Sequence, residues 1–152
     1  MREGQTLEEG IAAAQRRGLA EADASFDIDG WDSAAKAAAL ANVLFDARTT
    51  PLQVDRKGIR QLTPAKLAEL KARGKTVVLM SRGKRTPEGV KLRVRAEVLD
   101  ETDTMATVRG ASNLLLLHTD LMGTLGVLEL NPTVAQVAYG LLADISDIAR
   151  SI

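Results

Sequence analysis

No cysteine occurs in the 152 residues. Disulfides, thiolate nucleophiles and cysteine-held metals are therefore excluded, and the composition suits a reducing compartment. There is one histidine, His118, at the end of the apolar run Leu114 to Leu117, with no partner at catalytic or ligand spacing. It reads as a structural residue, because a metal site needs several ligands. Net charge is also missing: Lys plus Arg and Asp plus Glu are 20 each. No broad pull towards nucleic acid or membrane follows, and neither is expected as a partner. No run approaches the ~18 apolar residues that span a bilayer, and residues 1–10 lack the apolar stretch of a signal peptide. Cytoplasm is the expected compartment. Finally, no G-x-G-x-x-G follows a strand near the start, and the glycines are scattered singly. No dinucleotide-binding Rossmann domain is expected within this chain.

What is present is one domain's worth of chain, 45% hydrophobic, long enough to bury a core. Its most informative segment runs from Glu21 to Lys36. It gathers Glu21, Asp23, Asp27, Asp29 and Asp32 at a helix entrance and places Lys36 on the first turns. Asp32 and Lys36 are four apart, so on a helix they share a face and can pair. Carboxylates with one ammonium suit an amino-acid ligand. Calcium is a rival, since Ser25, Asp27, Asp29 and Gly30 fall on positions 1, 3, 5 and 6 of a calcium loop. It fails at position 12, where a bidentate glutamate is required and Lys36 stands. No metal is expected. A plainer alternative stays open: acidic residues gather at helix N-termini because they cap free N–H groups and complement the dipole.

The pattern predicts a helix from Leu7 to Arg17, opened by the capping box Thr6 to Glu9 and closed by Gly18. An acidic loop follows, then a helix from Trp31 to Phe45. Its stripe Ala34, Ala35, Ala37, Ala38, Ala39 and Ala41 permits close packing. Trp31 is expected to pack the mouth of the polar site rather than perform chemistry. Residues 49–61 are connective, with a short edge element near Val54 and Gly58-Ile59. Thr63-Pro64 opens another helix that ends at Arg73-Gly74. Strands are expected at Thr76 to Met80 and Val90 to Leu99, joined across Thr86 to Gly89, and again at Asn113 to Leu117 and Thr124 to Leu130. Pro132 is expected to start the last helix. Ser81 to Arg85 and Arg93 to Arg95 are local basic runs that could form a phosphate patch, but alternating Lys91, Arg93 and Arg95 read as the wet face of a strand. Helices first, antiparallel strands in the middle and a closing helix predict an α+β fold, with helices on one face of a mostly antiparallel, mixed sheet.

The segment Gly18 to Lys36 resembles the signature of homoserine dehydrogenases, roughly G-x-x-E-x-D-P-x-x-D-x-x-G-x-D-x-x-x-K, with matches at Glu21, Asp27, Asp32 and Lys36. A weaker likeness extends through Gly58-Ile59, Val108 to Asn113 and the last helix with Asp144-Ile145. The resemblance implies the α+β catalytic and dimerisation half of such an enzyme across residues 1–152. It implies NAD(P)-dependent interconversion of L-homoserine and L-aspartate 4-semialdehyde, in threonine, methionine and isoleucine biosynthesis. Glu21 and Asp27 would then bind the amino-acid substrate, Asp32 would orient Lys36, and Lys36 would donate and accept the proton. A homodimer through the sheet is implied as well. The family binds its cofactor on a Rossmann domain earlier in the chain. The present sequence is therefore expected to be a fragment, or to have a truncated start, and to be inactive alone. An amino-acid-binding or dimerisation module without redox chemistry is the alternative. Two departures stand out. Ala24 occupies a position commonly proline, and Gly126 to Pro132 replaces a glycine-rich G-x-G-A-G turn that approaches the cofactor, putting that contact in doubt.

Overall fold

The structure is a computed structural model that describes residues 6–16, 18 and 20–151. Residues up to Asp103 form one compact unit and Thr104 onward a second. In the first, α1 spans Leu7–Arg16. Its capping box is formed as expected: Glu9 N–H donates to Thr6 Oγ1 at 3.2 Å, and Thr6 N–H to Glu9 Oε2 at 2.9 Å. The expected terminal residue, Arg17, lies outside the described residues.

The acidic segment is not simply a loop. Ser25–Ile28 makes one helical turn, α2, before Trp31–Phe45 forms α3 with the boundaries the sequence predicts. A four-residue turn has no apolar periodicity to announce it. The turn is held instead by Asp23, whose Oδ1 accepts the Ser25 N–H at 2.9 Å. Gly30, at φ 76°, sits between the two helices and redirects the chain.

Helix α3 lies on a three-stranded sheet of order β1-β3-β2: β1 is Asp55–Arg56, β2 Lys75–Thr86 and β3 Gly89–Asp100. β2 and β3 are antiparallel, from Lys75 opposite Asp100 to Thr86 opposite Gly89, and β1 is parallel to β3 at the edge. The core is Ala34, Ala38 and Ala41 of α3 against Val54, Leu92 and Val94. Small side chains thus bring the helix down onto the sheet. The stripe is narrower than expected, because Ala39 faces solvent: positions 34, 38 and 41 share one face and 39 does not. Helix α4, Pro64–Ala72, is capped by Thr63, whose Oγ1 accepts the Lys66 N–H at 3.2 Å. Strand β2 runs six residues beyond its expected end, through the basic run Ser81 to Arg85, because each of those residues has a partner on β3.

The second unit contains a short α5, Thr104–Thr107, the antiparallel pair β4, Asn113–His118, and β5, Thr124–Glu129, and α6, Val134–Arg150. Helix α6 opens at Val134, two residues beyond the expected start at Pro132, behind the Thr133 cap. The strands therefore divide between two sheets, one in each unit, within the α+β class that the sequence predicts. His118 joins its cross-strand neighbour Thr124, Nδ1 to Oγ1, at 2.9 Å. No helix among the described residues is long and apolar enough to cross a membrane.

Candidate active site

One concavity of about 600 Å³ is lined by Gly18, Ala20, Glu21, Asp23, Phe26, Asp27, Asp32 and Lys36. All four candidate residues therefore meet at one surface. Local folding explains why. Glu21 sits in the connection after α1, where Gln15 holds it by donating its side-chain amide to the carbonyls of Glu21 and Ala22 at 2.9 and 3.0 Å. Asp27 projects from α2, and Asp32 and Lys36 from the first two turns of α3.

Lys36 Nζ lies 2.8 Å from Asp32 Oδ2, the i, i+4 pair expected from the spacing. With side chains 71% and 43% exposed, the pair contributes about 0.5 kcal/mol or less to stability. The pair holds the ammonium at the cavity lining. Neither the Glu21 nor the Asp27 carboxylate meets a partner among the described residues, so each is open to a ligand cation.

The local backbone bond is made by a different residue. Asp23, just ahead of α2, bonds the backbone, and the Ser25 N–H holds its carboxyl below the usual carboxylate range. Neither α2 nor α3 has a side-chain cap on its N-terminus. Capping hydrogen bonds therefore do not account for Glu21, Asp27 or Asp32, although Asp27 and Asp32 stand in first turns, where they complement the helix dipole.

Asp29 behaves differently from the other carboxylates and is absent from the lining. It forms a two-point pair with Arg60, Nε to Oδ1 at 2.5 Å and Nη2 to Oδ2 at 2.9 Å. With Asp29 engaged and Lys36 at the closing position, the calcium arrangement is not assembled. No group of three or more metal-ligating side chains occurs among the described residues. Arg56 donates to the Asp29 carbonyl and places its guanidinium 3.7 Å over the Trp31 ring, whose other neighbour is Phe26 at 6.4 Å. Phe26, not Trp31, lines the cavity. Trp31, expected at the mouth, is absent from the lining and contacts it through Phe26. Arg56 and Arg60 are 27 and 31 residues from Asp29, and no local signal marks them.

The Arg60 hydrogen bond lowers the Asp29 pKa below its ordinary value. A group depressed on folding stabilises the fold fully above its unfolded pKa, about 3.9, and loses that contribution as pH falls through the lower folded value. Asp29→Asn is expected to flatten the acid limb: urea midpoints of the two proteins should differ at pH 5 and converge as pH falls below about 4. A difference that stays constant from pH 5 to 2 would show that this pair does not govern the acid response.

The α+β layer presents a polar cavity with a paired lysine, and similarity to known proteins specifies its family. A family model described as Homoserine dehydrogenase matches residues 1–146. The chain is 32% identical to a homoserine dehydrogenase of Pseudomonas aeruginosa, over 100% of this chain and 35% of that one. It is 35% identical to one of Mycobacterium bovis, over 93% of this chain and 33% of that one. A crystal structure of a homoserine dehydrogenase from Thiobacillus denitrificans superimposes with a TM-score of 0.85 at 30% identity, covering 97% of this chain and 34% of that chain. The chain belongs to the homoserine dehydrogenase family and spans about a third of the length of these relatives.

Proposed function

We propose that this chain is the substrate-binding and proton-transferring part of an NAD(P)-dependent homoserine dehydrogenase, interconverting L-homoserine and L-aspartate 4-semialdehyde. The observation that carries this reading is the convergence of Glu21, Asp27 and the Asp32–Lys36 pair on one cavity. Ionised carboxylates only accept hydrogen bonds, so Glu21 and Asp27 suit the substrate's α-ammonium and fix which end of it faces Lys36. In the reductive direction the aldehyde oxygen gains negative charge and then a proton. The Lys36 ammonium stabilises that charge and donates the proton through Nζ, while Asp32 holds Nζ in place. In the oxidative direction Nζ takes the proton back from the alcohol.

When bound, the nicotinamide cofactor supplies or removes the hydride. The residues described here do not fit a dinucleotide cradle. The segment with Gly126 is a strand paired to β4, with Gly126 opposite Leu116. A Cβ on that glycine would meet Leu116 Cδ2 at 3.3 Å, so its small size serves cross-strand packing. We place the cofactor on protein outside these residues. Self-association through the second sheet accompanies this proposal, supported by the exposure of Val127, Leu128 and Leu130, of which Val127 is 62% exposed.

The test has two arms. Absorbance of reduced nicotinamide should show no turnover of homoserine by the chain alone, and turnover once a cognate nucleotide-binding domain is fused or added. Robust turnover by the chain alone refutes the placement of the cofactor. Failure of homoserine to bind the fused protein by calorimetry refutes the amino-acid site, and binding without turnover favours the non-redox module.

A further inference from the structure

We propose that the face of the first sheet turned away from α3 carries a second binding site, for a small, multiply charged oxyanion. The strand register places like charges opposite each other twice in succession, Arg82 with Arg93 and Lys84 with Lys91. Side chains alternate between sheet faces, so these four cations share one face while Leu92 and Val94 pack beneath α3. Directly opposed like charges destabilise a strand pair, their Cβ atoms being only about 5 Å apart. A solvated strand face accounts for exposed cations but gives no reason to stack them in register.

The counter-charge on the page is incomplete. Glu97 serves two guanidinium groups, Arg82 at 2.6 Å and Arg93 at 3.3 Å. Glu88 reaches Lys91 at 3.5 Å, with both side chains about 70% exposed. Lys84 has no acceptor among the described residues. Asp103 adds a third negative charge beside Arg82, so four cations face three carboxylates and one positive charge is left over. A concavity of about 540 Å³ adjoins them at the free edge of β3, where Arg82, Lys84, Lys91 and Arg93 meet Gln53 and Asp55 and the apolar Val90 and Leu92 from the other face. Asp55 is neutralised by Arg95. The Gln53 side chain is held by its Oε1, which accepts the Thr50 N–H at 2.9 Å and leaves its amide N–H groups to donate. Clustered ammonium, guanidinium and amide donors match phosphate or carboxylate oxygens. Zero net charge, and a concave rather than extended basic surface, favour a small anion over a polymer.

The experiment titrates the full chain with inorganic pyrophosphate and, separately, citrate, following calorimetry and backbone amide shifts. Saturable binding is expected, with shifts centred on residues 82–93 and an affinity at least tenfold lower in Lys84→Ser/Lys91→Ser. The preferred anion distinguishes phosphate from carboxylate chemistry. Without ligand the double variant should melt about 1–4 °C higher, because one like-charged pair is gone. Lys36→Ala should leave the anion affinity unchanged. Unsaturable titrations, unchanged affinity in the double variant, no gain in Tm, or binding confined to a poly-glutamate peptide would each overturn the proposal, the last in favour of an acidic polypeptide.

Discussion

Under the proposed function, replacing Lys36 by alanine in the chain fused to a cognate nucleotide-binding domain should lower kcat about 10²- to 10⁴-fold while changing substrate affinity far less, the contribution typical of a positioned acid or base. The proton moves only in the chemical step, so its loss belongs in kcat. Fold stability is a weak confounder here. The Lys36 side chain is 71% exposed and its pairing with Asp32 contributes little to folding. Asp32→Ala should do less harm, since in the proposed mechanism Asp32, 2.8 Å from Nζ, orients the lysine without carrying the proton. Glu21→Ala should act mainly on KM, through a lost contact to the α-ammonium. Steady-state kinetics of the three variants separate the roles. Small and equal effects at all three positions would remove the catalytic assignment and leave these residues as ornaments of a helix entrance.

The relation between sequence and structure at this site follows from chain distance. Asp32 and Lys36 pair as expected because helical spacing is a local rule, and the Trp31–Phe45 boundaries follow from Gly30 on one side and loss of the alanine stripe on the other. Glu21 and Asp27 reach the same cavity because only a short connection and one turn separate them from α3. The resemblance to a family signature supplied roles that spacing alone left open to capping. The reassignment of Asp29 was beyond reach, since its partner Arg60 lies 31 residues away on a segment read only as connective. The same limit applies to the basic runs. Lys91 to Arg95 reads as a solvated strand face in isolation and Ser81 to Arg85 lies beyond the expected strand end, so only the register of β2 on β3 stacks Arg82 on Arg93 and Lys84 on Lys91. Non-local pairing carries the information in both cases.

Gly58→Ala should be among the most damaging single substitutions in the first unit, although Gly58 touches no candidate catalytic residue. A Cβ built there falls 2.0 Å from the Ile28 carbonyl oxygen, 2.6 Å from Asp29 Cα and 2.8 Å from Asp29 C. All three are backbone atoms, so no side-chain rotation relieves the clash. The connective segment must move away from the corner between α2 and α3. That movement breaks the Ile59 N–H to Ile28 carbonyl bond of 2.9 Å and strains the Arg60–Asp29 pair. A loss of about 3 kcal/mol or more is expected, at the upper end of overpacking costs because backbone must yield. Gly74→Ala is the matched control. Gly74 has φ 66° and nothing within 4 Å of a built Cβ, so only backbone strain of about 1–2 kcal/mol should follow. Urea midpoints of the two variants decide the matter: equal losses would mean that close approach at Gly58 does not hold the corner. Where Gly58→Ala remains folded, KM for homoserine should rise as well, because Asp27 and Asp32 stand on the two helices that this contact braces from behind.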